Sequence, residues 1–98
     1  MFIRIIKAYR DIIAICDSNL LGKKFEEKEF QLDVKENFFK GEKISEEELI
    51  KLLKNEIMED ATFNIIGEKS VNSALKAKII SEEQIKKIQG IPFVIILN

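Results

Sequence analysis

The side chains able to do chemistry are few and unevenly placed along the 98 residues. Cys16 and Asp17 are adjacent, Gly22 precedes Lys23 and Lys24, and Glu46, Glu47 and Glu48 run consecutively. Histidine is absent, which removes the commonest general base and metal ligand. A nucleophilic Cys16 would need a base to take its proton, and a neighbouring carboxylate raises a thiol's pKa. A lone cysteine in an apolar segment reads first as a small core residue. With one cysteine and no histidine, an internal disulfide and structural zinc are both excluded. On a helix the three glutamates fan outward and do not converge on one ion. Glu26, Glu27 and Glu29 lack the alternating oxygen ligands of a calcium loop. No metal and no cofactor are expected, and an enzyme is disfavoured, its poor palette reducing to carboxylates such as Asp17 with Lys23.

Phosphate recognition has a better claim. Leu21-Gly22-Lys23-Lys24 superficially matches a phosphate loop, but the earlier glycine is missing, because position 17 is Asp17. Lys23 and Lys24 beside a glycine turn, joined by Arg10 if the strand ends cluster, would bind a phosphate backbone weakly and with strong salt dependence. Tyr9, Phe38 and Phe39 could supply stacking faces. The competing reading is that the lysines are solubilising and the phenylalanines belong to the core.

The charge map has the same ambiguity. Sixteen basic and seventeen acidic residues give a net charge of −1, which does not mark a dedicated nucleic-acid binder. Residues 1–25 hold five basic and two acidic side chains (+3), 26–60 hold six and twelve (−6), and 61–98 hold five and three (+2). The start is basic and the middle acidic, so the field at one face differs in sign from the total.

These residues must be positioned by short elements. Phe2–Tyr9 and Ile12–Asp17 are rich in β-branched residues and read as strands joined at Arg10-Asp11. A two-residue turn there would set Tyr9 opposite Ile12, Ile6 opposite Ile15 and Arg4 opposite Asp17. Neither turn residue favours positive φ, so a longer loop stays open. Isoleucines on both faces suggest strands covered on both sides for part of their length. Leu20-Leu21-Gly22 reads as a turn or a single helical turn, with Gly22 in the C′ position. Phe30–Lys35 alternates, with apolar residues at 30, 32 and 34, as in a half-buried strand, and Asn37–Lys43 reads as a connection. Ser45 with Glu48 forms a capping box, and Leu49, Ile50, Leu52, Leu53 and Ile57 follow at helical spacing.

Ala61–Ile66 fits either a strand or a short helix. Gly67 breaks it, and a second helix is expected over Glu68–Lys78 with Val71, Ala74 and Leu75 inward. Ser81–Gln84 repeats the capping-box pattern before Ile85 and Ile88. After Gln89-Gly90, Phe93–Leu97 closes the chain as a buried strand, with Pro92 at its first residue. The expected architecture is α+β in a single domain over 1–98, with four to five mostly antiparallel strands and two to three helices in one layer against the sheet.

At 46% hydrophobic and 34% charged, the composition is too apolar for disorder and too charged for a membrane protein. The longest apolar runs, Ile12–Cys16 and Phe93–Leu97, are far short of the about 20 residues a spanning helix needs. Charges at Arg4, Lys7, Arg10 and Asp11 interrupt any signal-peptide core, so a cytoplasmic location is expected. Fourteen lysines, thirteen glutamates and eighteen isoleucines point to a thermophile, although AT-rich genomes also enrich Lys and Ile.

Taken in order, Ala8-Tyr9-Arg10, Ala14-Ile15-Cys16-Asp17, Leu20-Leu21-Gly22-Lys23, Phe30–Val34, Ile66-Gly67-Glu68-Lys69 and Gly90-Ile91-Pro92 resemble an archaeal family, the domain of unknown function 424. The resemblance spans nearly the whole chain and implies a small cytoplasmic α/β protein with no assigned activity. It implies a family site at Asp17, Gly22, Lys23, Gly90 and Pro92, where the glycines and the proline serve backbone shape equally well. Similar proteins often follow Gly-Ile-Pro with His-Ala, where this chain has Phe93-Val94, so no role here passes through that histidine. The functional expectation is a non-enzymatic binding module for RNA or a ribonucleoprotein, using Arg10, Lys23 and Lys24. The alternative is a protein-interaction or assembly subunit, homodimeric in one version, with no nucleic-acid contact.

Overall fold

Isoleucine-rich segments with β-branched neighbours lie flat against both faces of a sheet and so form its centre. In a computed structural model describing residues 1–55 and 60–97 the elements follow in chain order. They are β1 (Phe2–Ile6), β2 (Ile12–Cys16), a 3-10 turn (Ser18–Leu20), β3 (Lys24–Glu27), β4 (Phe30–Asp33), α1 (Glu36–Phe39) and β5 (Glu42–Lys43). Then come α2 (Glu46–Asn55), β6 (Thr62–Ile66), α3 (Glu68–Lys76), a second 3-10 turn (Glu82–Gln84), β7 (Lys86–Ile88) and β8 (Ile91–Ile96).

Six strands make one sheet in the order β5-β1-β2-β6-β8-β7, and β3 with β4 makes a separate hairpin. Among the described residues only the β2–β6 pairing is parallel. The chain is therefore the expected α+β domain with mostly antiparallel strands. Its additional strands are the short ones, β3, β5 and β7, of 4, 2 and 3 residues.

Both faces of the sheet carry a core. On one face Ile3, Ile13, Ile15, Phe63, Ile65 and Val94 meet Leu49 and Leu53 of α2 and Val71 and Ala74 of α3. On the other, Phe2, Ala14, Cys16 and Ile66 meet Leu20, Leu32, Val34 and Phe39. The helices are thus not in one layer. α2 and α3 share a face, while α1 joins the hairpin on the opposite one, where the Phe38 and Phe39 rings meet edge to face at 5.1 Å.

The β1–β2 register differs from the two-residue turn. Ile6 pairs with Ile12, Ile3 with Ile15 and Arg4 with Ala14, so residues 7–11 form a five-residue loop and Arg4 does not face Asp17. The sequence Lys7–Asp11 has no glycine or asparagine to adopt the positive φ of a tight primed turn. Phe30 is also not inward: Leu32 and Val34 are buried, but Phe30 is 68% exposed. It begins β4 directly after the turn at Lys28, which has φ of 56°, and no layer lies over that tip to bury it.

The capping boxes form as read. Glu48 N–H donates to Ser45 Oγ at 3.1 Å, and Ser45 N–H donates to Glu48 Oε1 at 3.2 Å. Hydrogen bonding to the Glu48 carboxyl from the Ser45 hydroxyl first and the Ser45 N–H second holds it below its ordinary pKa. Leu49 and Leu53 lie inward as expected, while Ile57 lies outside the described residues. Residues 62–66 resolve the Ala61–Ile66 ambiguity as a strand. α3 stops two residues before Lys78. Lys78 adopts φ of 61°, and the Lys78 and Ile79 N–H groups return to the Leu75 and Ala74 carbonyls, a Schellman stop with lysine in the glycine position.

Candidate functional site

The parallel pairing of β2 with β6 brings their C-terminal ends to one end of the sheet, together with the starts of β1 and β8. Asp17 sits there, directly after β2, and extends the ladder by donating its N–H to the Ile66 carbonyl at 3.0 Å. Its carboxylate is buried and turned onto the first turn of α3. Oδ1 accepts from Ser70 N–H at 2.8 Å and from Ser70 Oγ at 2.7 Å, and Oδ2 accepts from Lys69 N–H at 3.1 Å. The residue preceding α3 is Gly67, which has no side chain to cap with. Asp17 therefore caps α3 from another element, placing a negative charge where the helix presents unpaired N–H groups and a positive dipole end.

Gly67 makes this possible. It adopts φ of 111°, and a Cβ there would stand 2.3 Å from Asp17 Cγ. Its N–H donates to the Pro92 carbonyl at 2.9 Å, so Asp17 and Pro92 meet through it. Pro92 is the second residue of β8, one later than the expected first. Gly90 lies at the same end, in a β7–β8 turn where Gln89 (52°) and Gly90 (76°) both take positive φ, as a two-residue primed turn requires. Gly22, with φ of 82°, donates its N–H to the Val34 carbonyl at 2.7 Å, and the Lys23 carbonyl accepts from Val34 N–H at 2.9 Å. Those two bonds tie the β3–β4 hairpin to the turn after β2. The opposite side of the hairpin is held by Gln89, whose Nε2 donates to the Glu26 carbonyl at 2.6 Å and whose N–H donates to Glu27 Oε1 at 2.9 Å.

The residues carried over from the resemblance thus gather at one end of the sheet, and each has a backbone or capping task. The Asp17 carboxylate holds three donors, and among the described residues no hydrogen bond or ion pair joins it to Lys23. Cys16 beside it is fully buried, and its thiol is pushed up to about 11 by burial first and by the Asp17 carboxylate second. A thiol in that state is protonated at neutral pH and inert as a nucleophile. No cluster of three or more Cys, Asp or Glu suited to a metal ion occurs among the described residues.

The three basic candidates do not come together. Lys23 and Lys24 are exposed at the Asp17 end, and Arg10 lies in the loop at the other end of β2. Five strand residues separate them, roughly 16 Å at about 3.3 Å per residue. Lys24 also faces Glu26 at 3.8 Å, within a hairpin whose two lysines are outnumbered by Glu26, Glu27, Glu29 and Asp33.

At the Arg10 end the hairpin-side face of the sheet is left uncovered. Ladder registers place Ile6 beside Ile12 and Ile12 beside Thr62, and place Asn64 beside Ile95. Leu97, one residue past β8, continues that face. Burial falls along it in steps: Phe2, Cys16 and Ile66 are buried, Ile6 and Ile12 are half-buried, Ile95 is 55% exposed and Leu97 78% exposed. Phe93–Leu97 is therefore not uniformly buried. β8 lies inside the strand order, but β7 pairs with it only through Phe93 and the hairpin layer ends before Ile95. An unbroken apolar run does not show which of its residues lack a covering layer, so this surface left no separate signal in the sequence.

Comparison with known proteins fits this picture. The family model for a protein of unknown function, DUF424, matches residues 6–98, so the chain belongs to that family. The crystal structure of an uncharacterized conserved protein from Methanopyrus kandleri is similar at a TM-score of 0.84, covering 97% of this chain and 88% of that one. Its sequence identity is 23%, and the likeness shows the fold. No curated protein matches the sequence. Among the described residues no helix is long and apolar enough to cross a membrane.

Proposed function

We propose that this DUF424 member is a non-enzymatic protein-interaction module of the cytoplasm, working through the uncovered half of its hairpin-side sheet face. One observation carries the reading: Ile95 and Leu97 are exposed as neighbours on one face at the end of β8, with Thr62 and Asn64 of β6 between them and the half-buried Ile6 and Ile12. Isolated exposed apolar residues are ordinary, whereas a contiguous set on one face marks an interaction site. The chemistry of the rest of the chain agrees, since Cys16 is protonated and Asp17 is engaged by three donors. The single reduced cysteine suits the cytoplasm, and the Lys, Glu and Ile content suits growth at high temperature.

The test is the apparent size of the tagged chain in an extract of its own cells. The wild type is expected to migrate well above its 11.3 kDa mass, and Leu97→Glu is expected to fall back to the monomer. Migration of the wild type as a monomer, or no change with Leu97→Glu, overturns the reading.

A second reading is RNA or ribonucleoprotein contact through Lys23 and Lys24. The adjacent exposure of both lysines after the Gly22 turn favours it. RNA anisotropy would then fall between about 50 and about 200 mM salt and vanish in the Lys23→Glu, Lys24→Glu variant. Absence of binding at the lower salt removes it. The acidic surroundings of Lys24 and the separation of Arg10 place this reading second.

A further inference from the structure

Resting on the reading of the uncovered half-face as a protein-contact surface, we infer that its occupant is the tip of the β3–β4 hairpin of a second copy of this chain, anchored by Phe30. Three observations meet here. First, Phe30 is a large aromatic side chain held out at 68% exposure on a tight turn, while Leu32 and Val34 of the same hairpin are buried. Aromatic side chains, phenylalanine among them, are enriched in the cores of protein interfaces.

Second, the charges are complementary. The tip carries Glu26, Glu27, Lys28 and Glu29, a net −2, whereas the open end of the half-face carries Arg4, Lys7, Arg10, Asp11 and Asp60, a net +1. Opposed fields of this kind steer association and fix orientation.

Third, the tip is unable to fold back onto its own half-face. The Gly22–Val34 and Gln89–Glu26 bonds pin the hairpin to the Asp17 end of the sheet. Within one chain this hairpin covers the buried half of the face, and a neighbour's tip laid over Ile95 and Leu97 would extend the same layer. The contact is heterologous, because tip and half-face are different surfaces. Each added copy leaves one free tip and one free half-face, so assembly proceeds by addition and closes only as a ring.

Sedimentation velocity of the purified chain, from about 1 to about 100 µM, tests this. The weight-average mass should rise above 11.3 kDa with concentration at about 50 mM salt and fall back at about 500 mM as the charges are screened. Phe30→Ser and Ile95→Glu should each weaken association at least about tenfold, the scale of losing an interface anchor. Leu97→Glu, outside the strands, replaces Ile95→Glu if that change disturbs β8 as judged by circular dichroism. The deciding sample is an equal mixture of a tip variant and a half-face variant. It retains one intact tip and one intact half-face, so it should form a dimer and nothing larger.

A wild type that stays monomeric overturns the inference, as does Phe30→Ser associating like the wild type or a mixture that stays monomeric. If the purified chain is monomeric yet runs large in extract and Leu97→Glu abolishes this, the interaction reading stands with a different protein on the half-face. If neither preparation associates, both fall.

Discussion

The two ends of the central sheet differ in how their polar groups and apolar surface are used. At the Asp17 end, strand ends, turns and a helix start are tied together by buried hydrogen bonds, and the adjacent apolar side chains are covered on both faces. At the Arg10 end a five-residue loop carries a fully exposed Tyr9, and Ile95 and Leu97 face solvent. The residues that the resemblance implied as a site, Asp17, Gly22, Lys23, Gly90 and Pro92, lie at the first end, where each serves the backbone or a helix cap. The second end is tied by the Thr62 N–H donating to the Asp11 carbonyl at 2.8 Å and by the exposed Lys7–Asp11 ion pair at 3.1 Å, and its apolar Ile95 and Leu97 stay uncovered. A structural anchor and an exposed apolar surface are separate properties, and here Asp17 and the Ile95–Leu97 surface lie at opposite ends of the sheet.

The contrast can be broken most forcefully at Gly67. Gly67→Ala should destabilise the chain by about 3 kcal/mol or more, because it adds a strained backbone to a Cβ overlapping the Asp17 carboxylate. Urea denaturation measures it, and a loss below about 1 kcal/mol would mean that Asp17 can move aside freely. Asp17→Ala should cost about 3 kcal/mol by removing an ionised acceptor from buried donors, with Asp17→Asn intermediate. Because the two residues touch, the double variant should lose less than the sum of the singles.

A smaller effect belongs to Cys16. Its folded pKa is raised to about 11 from an ordinary 9.0, so its contribution to stability is complete below pH 9 and is lost as pH rises through about 11. The native thiol should resist a disulfide reagent at pH 8 and react only on unfolding. Rapid labelling of the native chain would show the Asp17 end to be open. The smallest effect should be at the other end: Leu97→Glu should change folding stability by no more than about 0.5 kcal/mol, as expected for an exposed side chain away from strained or buried features. A large loss there would remove the distinction between the two ends.

Much of this fold is legible from local pattern. The β2 isoleucines, the Ser45 and Ser81 capping boxes, the α2 stripe and the Gly67 break are each written within a few residues. The β1–β2 register is not, because Lys7–Asp11 contains no residue that specifies a turn. Nor is the β3 strand, whose Lys24–Glu27 sequence has one apolar residue and whose turn places Lys28, not glycine, at positive φ. Asp17 drew attention as a chemical group but not as a helix cap, since its partners lie more than fifty positions along the chain. The exposed half-face was hidden for a related reason: whether Ile95 is covered depends on how far a distant hairpin reaches.

The remote cap also couples the stability of α3 to that of the sheet. α3 is nine residues long, too short to persist alone in water, and its own preceding residue offers no side-chain acceptor. Its first-turn amides find Asp17 only after β2 and β6 have aligned in register. The helix is thereby a conditional element, made stable by a sheet whose parallel central pairing closes a long loop. Such a chain gains little from forming its parts separately, and its central sheet and the helix above it are held as one cooperative unit.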